Sequence, residues 1–487
     1  MPVNDASATA EIERLLAAGR AHDALRVADA LCARSRRNLN AWLARASANM
    51  RLGRIEAAVV DLETGERVAP GDQRTSFLRA HAEQQLGHME PAVARLRPIA
   101  YGGGALALEA WMALCDTLFI ANRLDELREQ VTRPGPWSRD ERFPLHAARA
   151  QAKVDPGSAI AALRGVADTA RNPAVRRVAG FEAVRLLDKS GHYREALDLA
   201  ARMHASTGMP FDLEGLLAPV RAQRQLLAGG RWFAPQAEPV QGLAMMVALP
   251  RSGTTLLEQM LDAHSAVSGI GEYDGARFLS ESLESMALQD RGLAQLSRPD
   301  AIRLQRAYLD GAERRRRAGA RWMLDKTLRA WRLLPQLAAV MPGTRCLHVV
   351  RDPRDMAISI HLSYFTPDRD GWTASLESIR RVIEAHESIL PEALGTLGLP
   401  HETVVYEDLV ADPQAHASRC LGLLGLDMED AVLAPERNAR TVFTLSHAQV
   451  SAPINASSIG RWRNYEWAFG REWDALVARH DARRKSR

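Results

Sequence analysis

Apolar residues recur at helical spacing through the N-terminal half of the chain, and that recurrence is itself repeated. Gly19, Gly53 and Gly87 stand 34 residues apart, and Ala24, Ala58 and Ala92 each follow by five. The phase returns at Gly157 with Ala162 and at Gly191 with Ala196, and a degenerate copy is expected near Asn122. Asn40–Leu52 and Arg54–Val68 read as the two amphipathic helices of one unit, ended by Pro70. Glycine tolerates the left-handed backbone between two helices, and alanine lets the pair approach closely. Leu62 and Leu96 share a phase and are expected in the seam between units.

After Pro210 the period changes. Val240–Leu249, Thr344–Val350 and Glu402–Tyr406 are short apolar runs that predict buried strands. Helical patterns separate them, over Thr254–Ala263, Arg298–Arg317, Leu328–Val340, Trp372–Leu390 and Pro413–Leu424. Strands alternating with helices predict a parallel sheet of the α/β class. The expected organisation is therefore α plus α/β. A helical repeat array spans 8–220 and a parallel-sheet domain spans 240–475, with the boundary between Arg221 and Pro239.

The period, the turn glycines and the packing alanines resemble the tetratricopeptide repeat family over roughly Ala8–Ala205. Only the second unit carries both a tryptophan near its start, Trp42, and a closing proline, Pro70. The resemblance implies a scaffold that presents a surface to a protein or peptide partner, and implies no chemistry there.

Composition narrows the picture modestly. Lysine and arginine number 63 against 59 acidic residues, a net +4 that suits an anionic ligand without requiring one. No basic face alternates with aromatic residues, so nucleic acid is not expected as a partner. The run Arg314–Arg317 reads as solvated surface. Four cysteines, Cys32, Cys115, Cys346 and Cys420, are scattered without a C-x-x-C pair, so neither a metal site nor a redox motif is indicated. No apolar stretch approaches a bilayer span, and the expected setting is cytoplasmic.

The sharpest chemistry lies where the strand ending at Leu249 runs into Pro250-Arg251-Ser252-Gly253-Thr254-Thr255 and a helix. A helix N-terminus offers unpaired backbone N–H groups and the positive end of its dipole. Gly253 permits close approach, Ser252, Thr254 and Thr255 add hydroxyls, and Arg251 adds a forked cation. No lysine follows Gly253 and no glycine stands five residues before it, so this is not a G-x-x-x-x-G-K-[ST] loop.

The loop resembles the 5′-phosphosulfate loop of sulfotransferases. Further blocks carry the same resemblance. They are Val350-Arg351-Asp352-Pro353-Arg354-Asp355 with Ser359 eight residues beyond Arg351, Tyr406-Glu407-Asp408-Leu409, and Gly460-Arg461-Trp462. The resemblance implies 3′-phosphoadenosine-5′-phosphosulfate as the donor substrate, held by Arg251, Ser252, Gly253, Thr254 and Thr255 at the 5′ side. It implies Arg351, Ser359, Tyr406, Gly460 and Arg461 toward the nucleotide and its 3′-phosphate. Pro250 through Leu256 and Met260-Leu261-Asp262-Ala263-His264 are closest to the protein-tyrosine sulfotransferase branch and its bacterial repeat-bearing relatives. That branch implies Glu272, 21 residues after Arg251, as the base. It also implies Lys326, in Asp325-Lys326-Thr327, beside Arg251 at the leaving group. His264, a tempting base, is read as a structural cap. The acceptor that the resemblance implies is a hydroxyl on a protein tyrosine, a carbohydrate or a small molecule. The alternatives are a nucleoside or sugar kinase-like phosphotransferase, which shares strand–loop–helix logic, and an inactive tetratricopeptide adaptor.

Overall fold

The computed structural model describes residues 5–208, 210–273, 275–438 and 453–485. Its described residues divide into two compact units, 5–186 in one and 187–438 with 453–485 in the other.

The first unit is built from consecutive antiparallel-style helix pairs. Asp5–Ala17 with Ala21–Arg34, Leu39–Arg51 with Ile55–Val68, and Gln73–Gln85 with Met89–Tyr101 are joined by short turns. Gly19, Gly53 and Gly87 hold those turns at φ of 74°, 71° and 88°. Ala24, Ala58 and Ala92 are fully buried where the helices meet, as are Leu62 and, almost completely, Leu96. At the degenerate copy Asn122 takes the glycine's place at φ 57°, between Ala107–Ile120 and Leu124–Thr132. Asparagine is among the few side chains that enter this region readily.

The copy expected at Gly157 departs from the period. Gly157 lies in the first turn of helix Pro156–Thr169, behind an Asp155 cap that accepts from Ser158 N at 3.0 Å, and Ala162 faces solvent. Ala159 and Leu163 supply the buried positions there. A proline at the helix start moves the turn upstream, so the glycine is no longer needed for it.

The second unit carries a five-stranded, wholly parallel sheet. Its strands are β1 (Leu243–Ala248), β2 (Val267–Gly271), β3 (Trp322–Asp325), β4 (Arg345–Val350) and β5 (His401–Val405), in the order β2-β3-β1-β4-β5. All six residues of β1 are buried. Leu243, Met245 and Val247 feed one apolar cluster, and Ala244, Met246 and Ala248 feed another. Burial on both faces is what helices on both sides of a parallel sheet demand, and it explains the unbroken apolar run.

β2 and β3 were not among the expected strands. Ser268, Gly269 and Gly271 dilute the first, and the second is only four residues long after a polar stretch. The helix expected over Leu328–Val340 is broken into a 3₁₀ turn at Ala330–Arg332 and a helix at Leu334–Val340, with Pro335 at its start. Helices Tyr193–Ala205 and Leu213–Leu227 belong to this unit. His204 Nε2 meets the His361 carbonyl at 2.9 Å, and Leu217, Val220 and Leu227 join the sheet's core.

The chain order places β2 and β3 on one side of β1 and β4 and β5 on the other. The connections therefore reverse direction between β1 and β4. In open α/β sheets the crevice beyond the strand C-termini at such a switch is where ligands bind.

Candidate active site

Two arginines meet at that crevice from positions 100 residues apart in the chain. Arg251 lies three residues past β1 and Arg351 one past β4, and Ala248 pairs with Val349 in the sheet register. Arg351 Nη1 donates to the Arg251 carbonyl at 3.0 Å, and Arg251 Nε donates to Ser359 Oγ at 2.7 Å. Ser359 lies on helix Pro353–His361, whose Asp352 cap accepts from Arg354 N at 2.8 Å.

The Arg251 backbone is left-handed, φ 68°, an uncommon state for a side chain of this size. Burial, and then the neighbouring charges of Arg351 and Arg461, bring its guanidinium down to about 10. Buried cations are thus held together, and the Nε of Arg351 is buried with no hydrogen-bond partner among the described residues. An anion is the group that such an arrangement accommodates, because it would accept from the orphaned donor and offset the mutual repulsion.

The loop between β1 and helix Thr254–Asp262 is built for close approach. Ser252 is fully buried and donates to the Leu249 carbonyl at 2.8 Å, which closes the turn. Thr254 and Thr255 are buried at the helix start. Gly253 caps the helix at φ 100°. A Cβ there would fall 2.9 Å from Tyr406 Cε2 and closer still to Cδ2. Tyr406 in turn lies under Arg351, 4.8 Å from ring centroid to guanidinium carbon. Loop, aromatic ring and second arginine form one packed stack.

The C-terminal block is held by Asp355. Its carboxylate accepts from Gly460 N at 2.7 Å and Trp462 N at 2.8 Å, and Arg351 donates to the Ser458 carbonyl. Arg354 stacks on the Trp462 ring at 3.4 Å. Arg461 pairs with Asp188, which also accepts from Tyr465 Oη at 2.7 Å. The Gly460 amide therefore already has an acceptor, and Arg461 already has a carboxylate.

Lys326 and Glu272 stand at the other flank. Lys326 is 2% exposed, and its Nζ lies 3.0 Å from Glu258 Oε2 on the loop helix. Glu258 also accepts from Gly271 N at 3.2 Å, tying the end of β2 to the same helix. Glu272 follows directly. Its surface reaches solvent, yet the protein crowding its carboxylate raises it above its ordinary value, against the opposing charge of Lys326. The segment before Lys326 is fixed by Asp325, which accepts from Thr327 N at 2.8 Å, from Thr327 Oγ1 at 2.6 Å and from the Tyr308 phenol. Full burial pushes the Asp325 carboxyl up to about 6, despite the lowering effect of those bonds.

His264 is tied at both ring nitrogens. Ala266 N donates to Nδ1 at 3.0 Å, and Nε2 meets the Asp427 carbonyl at 3.0 Å. The expected solvated run at 314–317 is partly anchored, since Arg317 donates to the His264 carbonyl at 2.7 Å and Arg315 lies over the Tyr273 ring at 5.3 Å. Glu258 lies outside the motif blocks, and Asp325 and Asp355 lie inside them with no role that the motifs assign. Glu258 gave one signal, a charge on the apolar face of its helix between Leu257 and Leu261.

Residues 244–430 match the model of the sulfotransferase family. An uncharacterized protein of Aquifex aeolicus is 25% identical over 315 residues, 60% of this chain and 40% of that protein. The nodulation protein NoeE of Sinorhizobium fredii is 28% identical over 225 residues, 40% of this chain and 53% of its own length. Protein-tyrosine sulfotransferase 1 of Danio rerio is 26% identical over 240 residues, 44% of this chain and 63% of its own. The chain thus spans 40% to 63% of the length of these relatives. Among solved structures, a sulfotransferase domain from the curacin biosynthetic pathway aligns with 50% of this chain and 98% of its own, at 19% identity and a TM-score of 0.34.

Proposed function

We propose that the protein, whose residues 244–430 match the sulfotransferase family model, transfers the sulfonate of 3′-phosphoadenosine-5′-phosphosulfate to a hydroxyl acceptor. The observation that carries this is the convergence of Arg251, Ser359 and Arg351 at the switch point of the sheet, with a buried Arg351 Nε left unpartnered. Two anionic groups separated by a nucleoside suit two arginines that approach from different strands, and a single phosphate chain does not require the second one.

Ser252, Gly253, Thr254 and Thr255 hold the 5′-phosphosulfate against the helix N-terminus. Arg351 and Ser359 hold the 3′-phosphate, with Tyr406 beside the nucleotide. Gly460 and Arg461 would join only by exchanging partners, because Asp355 and Asp188 now hold them. In-line transfer needs a base on the acceptor and cations on the leaving oxygen. Glu272 takes the acceptor proton, and the crowding that raises its affinity for protons favours that role. Arg251 stabilises the leaving oxygen once its Nε exchanges Ser359 Oγ for the donor, and Lys326 assists from its buried pair with Glu258. The transfer domain is read as 240–475. The helices of 8–220 are read as a tetratricopeptide-like array presenting a surface to a protein or peptide, in a cytoplasmic protein.

The test uses donor labelled in the sulfonate and a panel of tyrosine peptides, saccharides and small alcohols or phenols. Label should pass to at least one acceptor class with the full chain, and Arg251→Ala and Glu272→Ala should each abolish it. Undiminished transfer in both variants would sink the assignment.

A further inference from the structure

Away from the transfer site, two buried histidines hold polar atoms that it does not use. His348 lies in β4, 0% exposed, and His386 lies on helix Leu376–Ile389, 2% exposed. Their rings stand 5.5 Å apart between centroids and tilted by 48°. Each has an Nε2 that is buried with no hydrogen-bond partner among the described residues. Glu387 completes the group, with its Oε1 3.6 Å from His386 Nδ1. One donor atom from each of the three residues lies within 4.8 Å of the other two.

Two orphaned imidazole nitrogens in one core are unusual, because buried polar groups in folded proteins nearly always find a partner. We propose that His348, His386 and Glu387 bind a divalent transition metal of the zinc class, which braces β4 against helix Leu376–Ile389 and takes no part in sulfonate transfer. Two imidazoles and one carboxylate form an N/O donor set that suits zinc, with a fourth position left for water. Donors on a tetrahedral zinc at about 2.0–2.1 Å lie roughly 3.3 Å apart. The trio therefore has to close by about an ångström or more when the ion binds.

The surroundings fit ligands with outer partners. Thr403 Oγ1 lies 3.4 Å from His348 Nδ1, on the side of the ring away from Nε2. Arg483 pairs with Glu387 through Oε2 and leaves Oε1 toward His386. Such second contacts orient ligands around a metal. Arg483 also opposes a cation, so the site is expected to favour a strongly bound ion such as Zn²⁺ over Mg²⁺. The cysteine spacing carried no hint of this, because the three ligands come from a strand and a helix far apart in sequence.

The experiment uses the full chain, tag-free and stripped with chelator, then titrated with Zn²⁺ and separately with Co²⁺. The expected result is one metal per chain by elemental analysis after dialysis. A Co²⁺ visible spectrum of tetrahedral intensity and a higher Tm with metal than with chelator should accompany it. His386→Gln and Glu387→Gln should each weaken binding by at least about tenfold. Circular dichroism and binding of adenosine 3′,5′-bisphosphate report whether each variant is folded. Failure of the wild-type chain to hold either metal stoichiometrically would overturn the proposal and leave a bridging water as the partner of the two nitrogens. Metal binding of wild-type strength in both variants would overturn it equally.

Discussion

Gly253→Ala isolates the loop's geometry from its charge. The substitution adds one methyl group and removes no donor. Two costs follow from the structure. At φ 100° an L side chain is outside its allowed regions, a strain of about 1–3 kcal/mol where the surroundings hold the backbone in place. The new Cβ would also lie 2.9 Å from Tyr406 Cε2 and closer to Cδ2, well inside contact distance. The ring cannot yield freely, because Tyr406 is 7% exposed and Arg351 covers it. Overpacking of this kind adds about 1–3 kcal/mol. The expected loss is therefore roughly 2–6 kcal/mol by urea denaturation. Any folded fraction should bind adenosine 3′,5′-bisphosphate more weakly, because the ring or the loop has moved. Adding Tyr406→Ala should recover the overpacking part, measured against the single Tyr406→Ala variant, and leave the backbone part. Wild-type stability and binding in Gly253→Ala would refute the close packing of loop and ring.

Glu258→Gln should destabilise the fold by about 3–5 kcal/mol in the same denaturation assay, because it takes the Glu258 carboxylate away from the buried Lys326 ammonium. The double variant Glu258→Gln with Lys326→Met should recover much of that loss. For Glu272, crowding raises the carboxyl above its ordinary value of 4.5, so the acid limb of the wild-type kcat/KM profile should have its midpoint above that value. Asp325 gives a stability signature of definite sign. Its carboxyl ionises near 6 when folded and near 3.8 as a reference, so between those values the folded state holds the extra proton. Stability then falls as pH rises through that window, by up to about 3 kcal/mol between 3.8 and about 6. The difference in unfolding free energy between wild type and Asp325→Asn, followed from pH 3 to 7, should shift in that direction.

Much of the fold was legible where residue type dictates backbone or burial. The turn glycines at 19, 53 and 87 and the alanines five residues on were readable because each position has one steric requirement. Gly157 misled because Asp155-Pro156 sets the helix start by capping, a stronger local signal than the period. β1, β4 and β5 announced themselves by apolar runs, whereas β2 and β3 are held by neighbours on the sheet rather than by composition. At the candidate site, the two arginines, the serine and the loop could be named in advance because motif spacing carries them. Their partners could not. Glu258 under Lys326, Asp355 under the 460–462 amides and Asp188 on Arg461 are pairings of the folded chain. The His348–His386–Glu387 group was hidden for the same reason, since His348 meets the adjacent His386 and Glu387 only in the folded core.

The most direct measurement is calorimetric binding of adenosine 3′,5′-bisphosphate, 5′-AMP and Mg²⁺·ATP to the full chain, to Arg251→Ala and to Arg351→Ala. A clamp built from both arginines predicts that the wild-type chain binds the bisphosphate at least about tenfold more tightly than 5′-AMP or Mg²⁺·ATP. Each variant should lose 1.5–3 kcal/mol or so of bisphosphate affinity with the charge-assisted bonds it removes. In Arg351→Ala the preference over 5′-AMP should collapse. Equal affinity for the bisphosphate and 5′-AMP in the wild type, or tighter binding of Mg²⁺·ATP, would contradict the two-phosphate site on which the proposed sulfonate transfer rests.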